Sequence, residues 1–230
     1  MTALASTFSL RFTSSLMHQK SSRKQTSTFD QNVFINCPFD EQYAPIFQAI
    51  AFAVHRVGFR PRCTKEVSES GESRLEKIMD IIADCKYGIH DLSRTQPGRF
   101  NLPRFNMPFE LGIDIGFRRC GDNRCQTKRH LIFDTHPYRY HKFISDLGGR
   151  DISPHNNSPR QAVIRVRNWL TAEASIKGMP SGKTIYNEYR QFITSVPDIC
   201  DRSQLHAEDL TFSDYSQVVA EFLESLKQVI

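Results

Sequence analysis

The 230-residue sequence predicts an α/β fold built on a doubly wound, parallel five-stranded sheet, followed by a C-terminal helical extension. Two observations carry this. From residue 32 to about residue 172, short β-rich runs alternate with longer amphipathic runs, the order that gives parallel strands joined by crossover helices. From about residue 173 the pattern is helical only.

The first strand is "NVFIN", Asn32 to Asn36, ended by Cys37-Pro38. "DEQYAPIFQAIAFAVHRVG" has helical spacing and closes at Gly58, a natural C-cap. Its core "IFQAIAFAV" is far shorter than the roughly 20 apolar residues of a membrane span and reads as a buried helix. "FRPRCT" is the second strand, and "ESRLEKIMDIIADC" is an amphipathic helix with Leu75, Ile78, Met79 and Ile82 on one side. "YGIHD" (Tyr87 to Asp91) and "HLIFD" (His130 to Asp134) are the third and fourth strands, with a helix over 106–118 between them. "YRYHKFISDL" is a helix, "RDIS" a fifth strand, and "SPRQAVIRVRNWLTAEA" the last helix of the α/β unit. Right-handed crossovers and five strands give a flavodoxin-like order, which binds ligands at the carboxyl ends of its strands.

The chain divides into a disordered, basic Ser/Thr-rich leader (1–29), the α/β domain (30–172) and the helical extension (173–230). In the extension, "TFSDYSQVVAEFLESLKQVI" places Tyr215, Val219, Phe222, Leu226 and Val229 on one stripe, which caps the core or serves a homo-oligomeric or regulatory protein partner. The net charge is +5, of which Arg11, Lys20, Arg23 and Lys24 of the leader supply four, so the folded body is nearly neutral and a nucleic-acid partner is not indicated. Six cysteines without a framework spacing, and no secretory signal, indicate a reducing cytoplasm; scattered histidines and the isolated "CGDNRC" indicate no metal. "KGMPSGKT" is a turn, since a phosphate loop requires Gly at Lys177 and a preceding strand.

The helix "NMPFELGIDIGFR" concentrates the chemistry. Asn106 is its expected N-cap and Pro108 falls in its first turn. At about 100° per residue, Met107, Leu111 and Ile115 form one apolar ridge and Phe109, Ile113 and Phe117 another. Gly112 and Gly116 lie between the ridges, open to a close backbone neighbour. Glu110, Asp114 and Arg118 share the remaining stripe, which either lines a cleft or is a solvated face with an Asp114–Arg118 pair. Burial raises the Glu110 pKa, while the helix N-terminus favours its charged form.

Other residues are expected at the same edge: Asp91 ending the third strand, the loop Asn36, Cys37, Pro38, Phe39, Asp40, and Glu66 after the second strand. Three acids, Glu66, Asp91 and Glu110, then converge. The loop "LSRTQPGRFNLPR" adds Arg94, Arg99 and Arg104, a basic rim suited to phosphates beside an acidic pocket suited to a sugar.

These residues resemble a known pattern. Arg104, Asn106, Phe109, Glu110, Leu111, Gly112 and Gly116 match in order the Arg-x-Asn-x-x-Phe-Glu-Leu-Gly-x-x-x-Gly segment of the TIR-like NAD-cleaving effectors of bacterial cyclic-nucleotide immune systems. Gly71, Leu75, Glu76, Lys77 and Ile78 resemble that group's segment after the second strand, while "VFINCPFD" is more like the first-strand loop of the related nucleoside 2-deoxyribosyltransferases. The resemblance spans roughly residues 32–135. It implies a catalytic glutamate at Glu110 and a sugar-orienting aspartate at Asp91. Pro108 replaces a usual aliphatic residue, the first-strand loop lacks the effectors' His-Gly, and the loop from Asp91 to Asn106 is longer than in typical transferases.

The leading expectation is cleavage of the N-glycosidic bond of a nucleotide, NAD above all, as a bacterial defence effector and with no cofactor beyond that substrate. Glu110 would stabilise or attack an oxocarbenium-like sugar held by Asp91. Asn36 and Phe39 would contact base or ribose, Arg94 or Arg104 the phosphates, and Asn106 belongs to the motif. Alternatives are a deoxyribosyltransferase, with His90 or Glu66 protonating the base, and a non-catalytic nucleotide-sensing or TIR-type assembly module.

Overall fold

The computed structural model describes residues 28–66, 73–95, 104–147 and 152–228. The expectations placed on the leader up to residue 27, on Gly71, Arg99 and Val229 lie outside them. Strands β1 (Asn32–Asn36), β2 (Arg60–Arg62), β3 (Tyr87–Asp91), β4 (Arg129–Asp134) and β5 (Ile152–Pro154) form one sheet in the order β2-β1-β3-β4-β5. Every pairing is parallel, with Phe34 opposite Gly88 and His90 opposite Ile132.

Strand alternation sorts the two faces. Val33, Ile35, Tyr87, Ile89, Leu131 and Phe133 share one buried core with α2 (Ala44–Arg56) and α5 (Pro159–Glu173). Phe34 packs with Ile78, Ile81 and Ile82 of α3 (Arg74–Ala83), and Ile132 with Met107 and Leu111 of α4 (Asn106–Cys120). Gly88, His90 and Asn36 therefore point toward α4, whereas Asp91 points the other way.

Ahead of β1 lies the short α1 (Thr28–Gln31), so Thr28 and Phe29, expected to end a disordered leader, are ordered: Phe29 is buried and its carbonyl accepts from the Lys86 N–H. Helix α2 stops where expected: Gly58 has φ of +94°, a conformation open to glycine, and donates to the His55 carbonyl. "YRYHKFISDL" forms two short 3-10 turns, Arg139–Lys142 and Ser145–Leu147, instead of a helix. Tyr140 and Leu147 still bury, and Tyr138 holds a φ of +60°, which interrupts helical geometry before the first turn. Helices α6 (Gly182–Arg202) and α7 (Phe212–Gln228) lie over α2, where Phe52 packs with Tyr189, Phe192 and Phe222. The α7 stripe of Tyr215, Val219 and Phe222 is buried in this way, so it caps the core. No described helix is long and apolar enough to cross a membrane, and all six thiols are free.

Gly88 is the tightest point of the α4 face. A Cβ there would collide with Asp114 Oδ2 and sit 2.7 Å from His90 Nε2. Gly88→Ala is expected to destabilise the protein by about 2 kcal/mol or more, as overpacking of a rigid core does. A denaturant midpoint unchanged from wild type would show that the α4 face has slack.

Candidate functional site

Helix α4 is fixed across the sheet by buried polar groups, from Asn36 at the carboxyl end of β1 to His130 near the amino end of β4. Asn36 Nδ2 donates to the Met107 carbonyl at 2.9 Å and lies 3.1 Å from His90 Nδ1. An amide NH₂ can only donate, so Nδ1 is the acceptor and His90 Nε2 carries the proton. That nitrogen is 2.9 Å from Asp114 Oδ2. Burial lowers the His90 pKa and outweighs Asp114, which keeps the ring neutral. On its other oxygen Asp114 meets Lys128 Nζ at 3.1 Å and His130 Nε2 at 3.3 Å. Lys128, with no solvent exposure, also donates to the carbonyls of Ile82 and Cys85 at the end of α3. Burial alone would raise the Asp114 pKa, but His130 and His90 hold it well below the carboxylate range.

Glu110 sits one turn before Asp114 on the same stripe, in the opposite environment. It is 8% exposed, and no described residue donates a hydrogen bond to it or pairs with it. Burial pushes its pKa up to about 7, against a weaker pull from Arg74 at the start of α3. The expected N-cap is displaced by one residue: Phe105 holds the cap position, and no side chain caps the helix. The first-turn N–H groups thus receive no side-chain cap near Glu110.

The remaining expected site residues separate into two groups. At the edge, the Cys37 thiol is buried and pushed up by burial, then by Asp91 and Cys63, with Glu110 adding to the effect and Lys65 opposing it. Cys37 is thus within electrostatic reach of both acids. Pro38 beside it is buried, and Phe39 is half-buried against Phe47. Arg94 Nη2 lies 3.2 Å from Asp40 Oδ1 and from Gln42 Oε1, and Arg104 Nη1 lies 3.8 Å from Asp40 Oδ2, so the two ends of the β3–α4 connection bring their guanidiniums to one carboxylate. Asn106 is exposed on the first turn of α4.

The second group is interior, and the expected convergence of three acids is corrected accordingly. Asp91 faces α2 and is sealed from solvent. It accepts from the Tyr43 hydroxyl and from the Ser93 N–H at 2.7 Å, and it lies 2.9 Å from His155 Nε2. The Asn157 N–H occupies His155 Nδ1, which leaves Nε2–H facing Asp91. Burial raises the Asp91 pKa, but His155, Ser93 and Tyr43 together hold it below the usual range. Strand alternation gives the α4-facing position to His90 and turns Asp91 away. Glu66 pairs with Arg62 at 2.6 Å and caps the Cys63 N–H at 3.0 Å, a local arrangement that binds it to its own turn. His90 and Asn36 are consumed by the α4 anchor. Asp114 makes no pair with Arg118, and a Cβ at Gly112 or Gly116 would meet nothing within 4 Å, so no described backbone approaches them.

Sequence reasoning missed Lys128, His130, Tyr43, His155 and Arg74. The one available signal was the period of β3, which sends Gly88 and His90 to one side and Asp91 to the other. Among the described residues no His, Cys, Asp and Glu group suits a metal ion. Comparison with family models, curated proteins and solved structures returns no match, so the site is read from its own geometry.

Because the folded pKa of Glu110 is raised from 4.5 to about 7, its ionisation opposes folding. The penalty is absent below pH 4.5, builds as pH rises and is complete above pH 7. Glu110→Gln is expected to stabilise the protein at pH 8, by roughly 2–3 kcal/mol, and to leave stability unchanged at pH 4.5. Equal stability of the two proteins at both pH values, by thermal or urea unfolding, would place Glu110 in water.

Proposed function

We propose that the carboxyl edge of this sheet is the active site of a nucleotide N-glycosidase, with NAD as its substrate. The observation that carries the reading is Glu110: a carboxyl group at the second turn of α4, only 8% exposed and supplied with no donor by the described residues. A carboxylate in that state is stabilised most by a cation, and an oxocarbenium-like sugar is one. The ordered match of Arg104, Asn106, Phe109, Glu110, Leu111, Gly112 and Gly116 to the TIR-like effector segment supports the same reading, as does the meeting of Arg94 and Arg104 at Asp40.

In this mechanism the C1′–N bond to nicotinamide breaks, the ring leaves with the bonding electron pair, and ionised Glu110 stabilises the cationic C1′ or bonds to it until water arrives. Binding of the cationic substrate favours the ionised form of Glu110 and releases a proton from the fraction that carries one. Arg94 and Arg104 exchange Asp40 for the phosphates. Asp91 acts by positioning: through Tyr43 it fixes the start of α2, and with it the Asn36–Asp40 loop. The commitments of His90 and Glu66 favour NAD over a deoxynucleoside. A neutral nucleobase needs protonation to leave, and both groups proposed to supply that proton are occupied elsewhere; nicotinamide, already cationic in NAD, leaves without it.

Purified protein incubated with NAD is expected to release nicotinamide. Glu110→Gln should lower kcat/KM by about 100-fold or more, the scale of losing one electrostatic stabiliser. The wild-type kcat/KM should rise with pH through about 7, since the ionised form is the active one. Equal turnover by the variant, or a profile flat from pH 5 to 9, would remove Glu110 from the chemistry; base exchange between deoxynucleosides without NAD cleavage would favour the transferase.

A further inference from the structure

A small cavity open to solvent lies beside the Asn36–Asp40 loop, and the helical extension forms one of its walls. It is about 160 Å³ in volume and is walled by Phe39 from the loop, Phe47 from α2 and Phe212 from the start of α7. The rings are mutually packed, with centroids 5.2 Å apart for Phe39 and Phe47 and 5.8 Å for Phe47 and Phe212. Ala207 and Glu208, from the turn joining α6 to α7, complete the wall. An apolar cavity of about 150 Å³ accepts one benzene ring, so this pocket, which opens to solvent on one side, has room for a six-membered ring.

The polar groups narrow the ligand. Lys65 lines the rim of the cavity, an exposed side chain with its ammonium 5.3 Å from the Phe39 ring centre and 5.4 Å from that of Phe47, and Glu208 across from it is exposed as well. It pairs with no acid among the described residues, and neither does Glu208 with any cation. Thr211 is already bonded to Asp214, and the Tyr215 hydroxyl donates to the Gln48 carbonyl. The free polar groups are thus one cationic donor, one anionic acceptor and the Gln48 amide. Their charges cancel, so the site suits a neutral ring that carries an acceptor and a donor of its own.

We propose that this cavity binds a neutral six-membered heteroaromatic ring bearing a lactam or amide group, of pyrimidine size, and that the α6–α7 turn sets its specificity. The ring stacks among the phenyl groups. Its carbonyl accepts from Lys65 and its N–H donates to Glu208. This site does not rest on the chemistry of Glu110, although Phe39 is only two residues from Cys37. It gives the helical extension a role in recognition beyond covering α2.

Calorimetry or ligand-observed NMR with uracil tests this, with 1,3-dimethyluracil as a ring that keeps its carbonyls and lacks N–H. Uracil is expected to bind wild type about tenfold more tightly than dimethyluracil, and Glu208→Ala is expected to erase that difference. Ala207→Trp, which fills the cavity from an exposed turn, and Lys65→Met are each expected to weaken uracil about tenfold. Glu110→Gln should leave uracil binding unchanged, which separates this site from the proposed glycosidase centre. Undiminished uracil binding by both Ala207→Trp and Lys65→Met, or equal affinity of wild type for the two rings, would overturn the proposal.

Discussion

The arrangement depends on one buried carboxylate. Asp114 has no solvent exposure, yet it is surrounded by His90, His130 and Lys128 from two strands and the turn before β4. Replacing such a cluster with apolar side chains can be neutral or better for stability, but removing one member costs about 3–5 kcal/mol, because a charge is then left alone in the interior. Its structural consequence is positional. Asp114 can be reached by His90 only because Gly88 offers no side chain in between. With Asn36 holding the Met107 carbonyl, α4 is pinned at its first and third turns.

That pinning places Glu110 between two anchors, roughly 6 Å along the helix from Asp114. The two acids share a stripe and diverge in chemistry. Asp114 is bonded to His90 on one oxygen, has Lys128 and His130 within ion-pair distance of the other, and remains ionised; Glu110 meets no donor among the described residues, and its pKa rises to about 7. Under the function proposed above, the two carboxyl groups divide the labour of the site, one maintaining geometry and the other available for reaction. Asp91 belongs with the first kind, as the junction of α2, β3 and the segment after β5.

Much of the fold was legible because it rests on local patterns. "NVFIN" and "YGIHD" have the bounds of β1 and β3, and the alternation of elements gave the parallel sheet and its strand order. "YRYHKFISDL" was not legible: its apolar residues bury from two short turns as well as they would from a helix. In the candidate site, the burial of Glu110 was legible because an apolar helix with one acidic stripe has few ways to sit on a sheet. The partners of that stripe were not, since His90, Lys128 and His130 are distant in sequence from Asp114 and each reads singly as a surface or core residue. Asp91 was placed at the right strand end but on the wrong face, an error that the two-residue period of β3 would have prevented.

The central claim is that α4 presents a largely buried, unpaired carboxyl group at the carboxyl edge of the sheet. The most direct measurement is a carbon-13 NMR titration of the Glu110 side-chain carboxyl in the ligand-free protein, assigned by its loss in Glu110→Gln. A midpoint near pH 7, moving higher in Arg74→Gln because the opposing cation is gone, is the result this account predicts. A midpoint near 4.5, indifferent to Arg74, would contradict it.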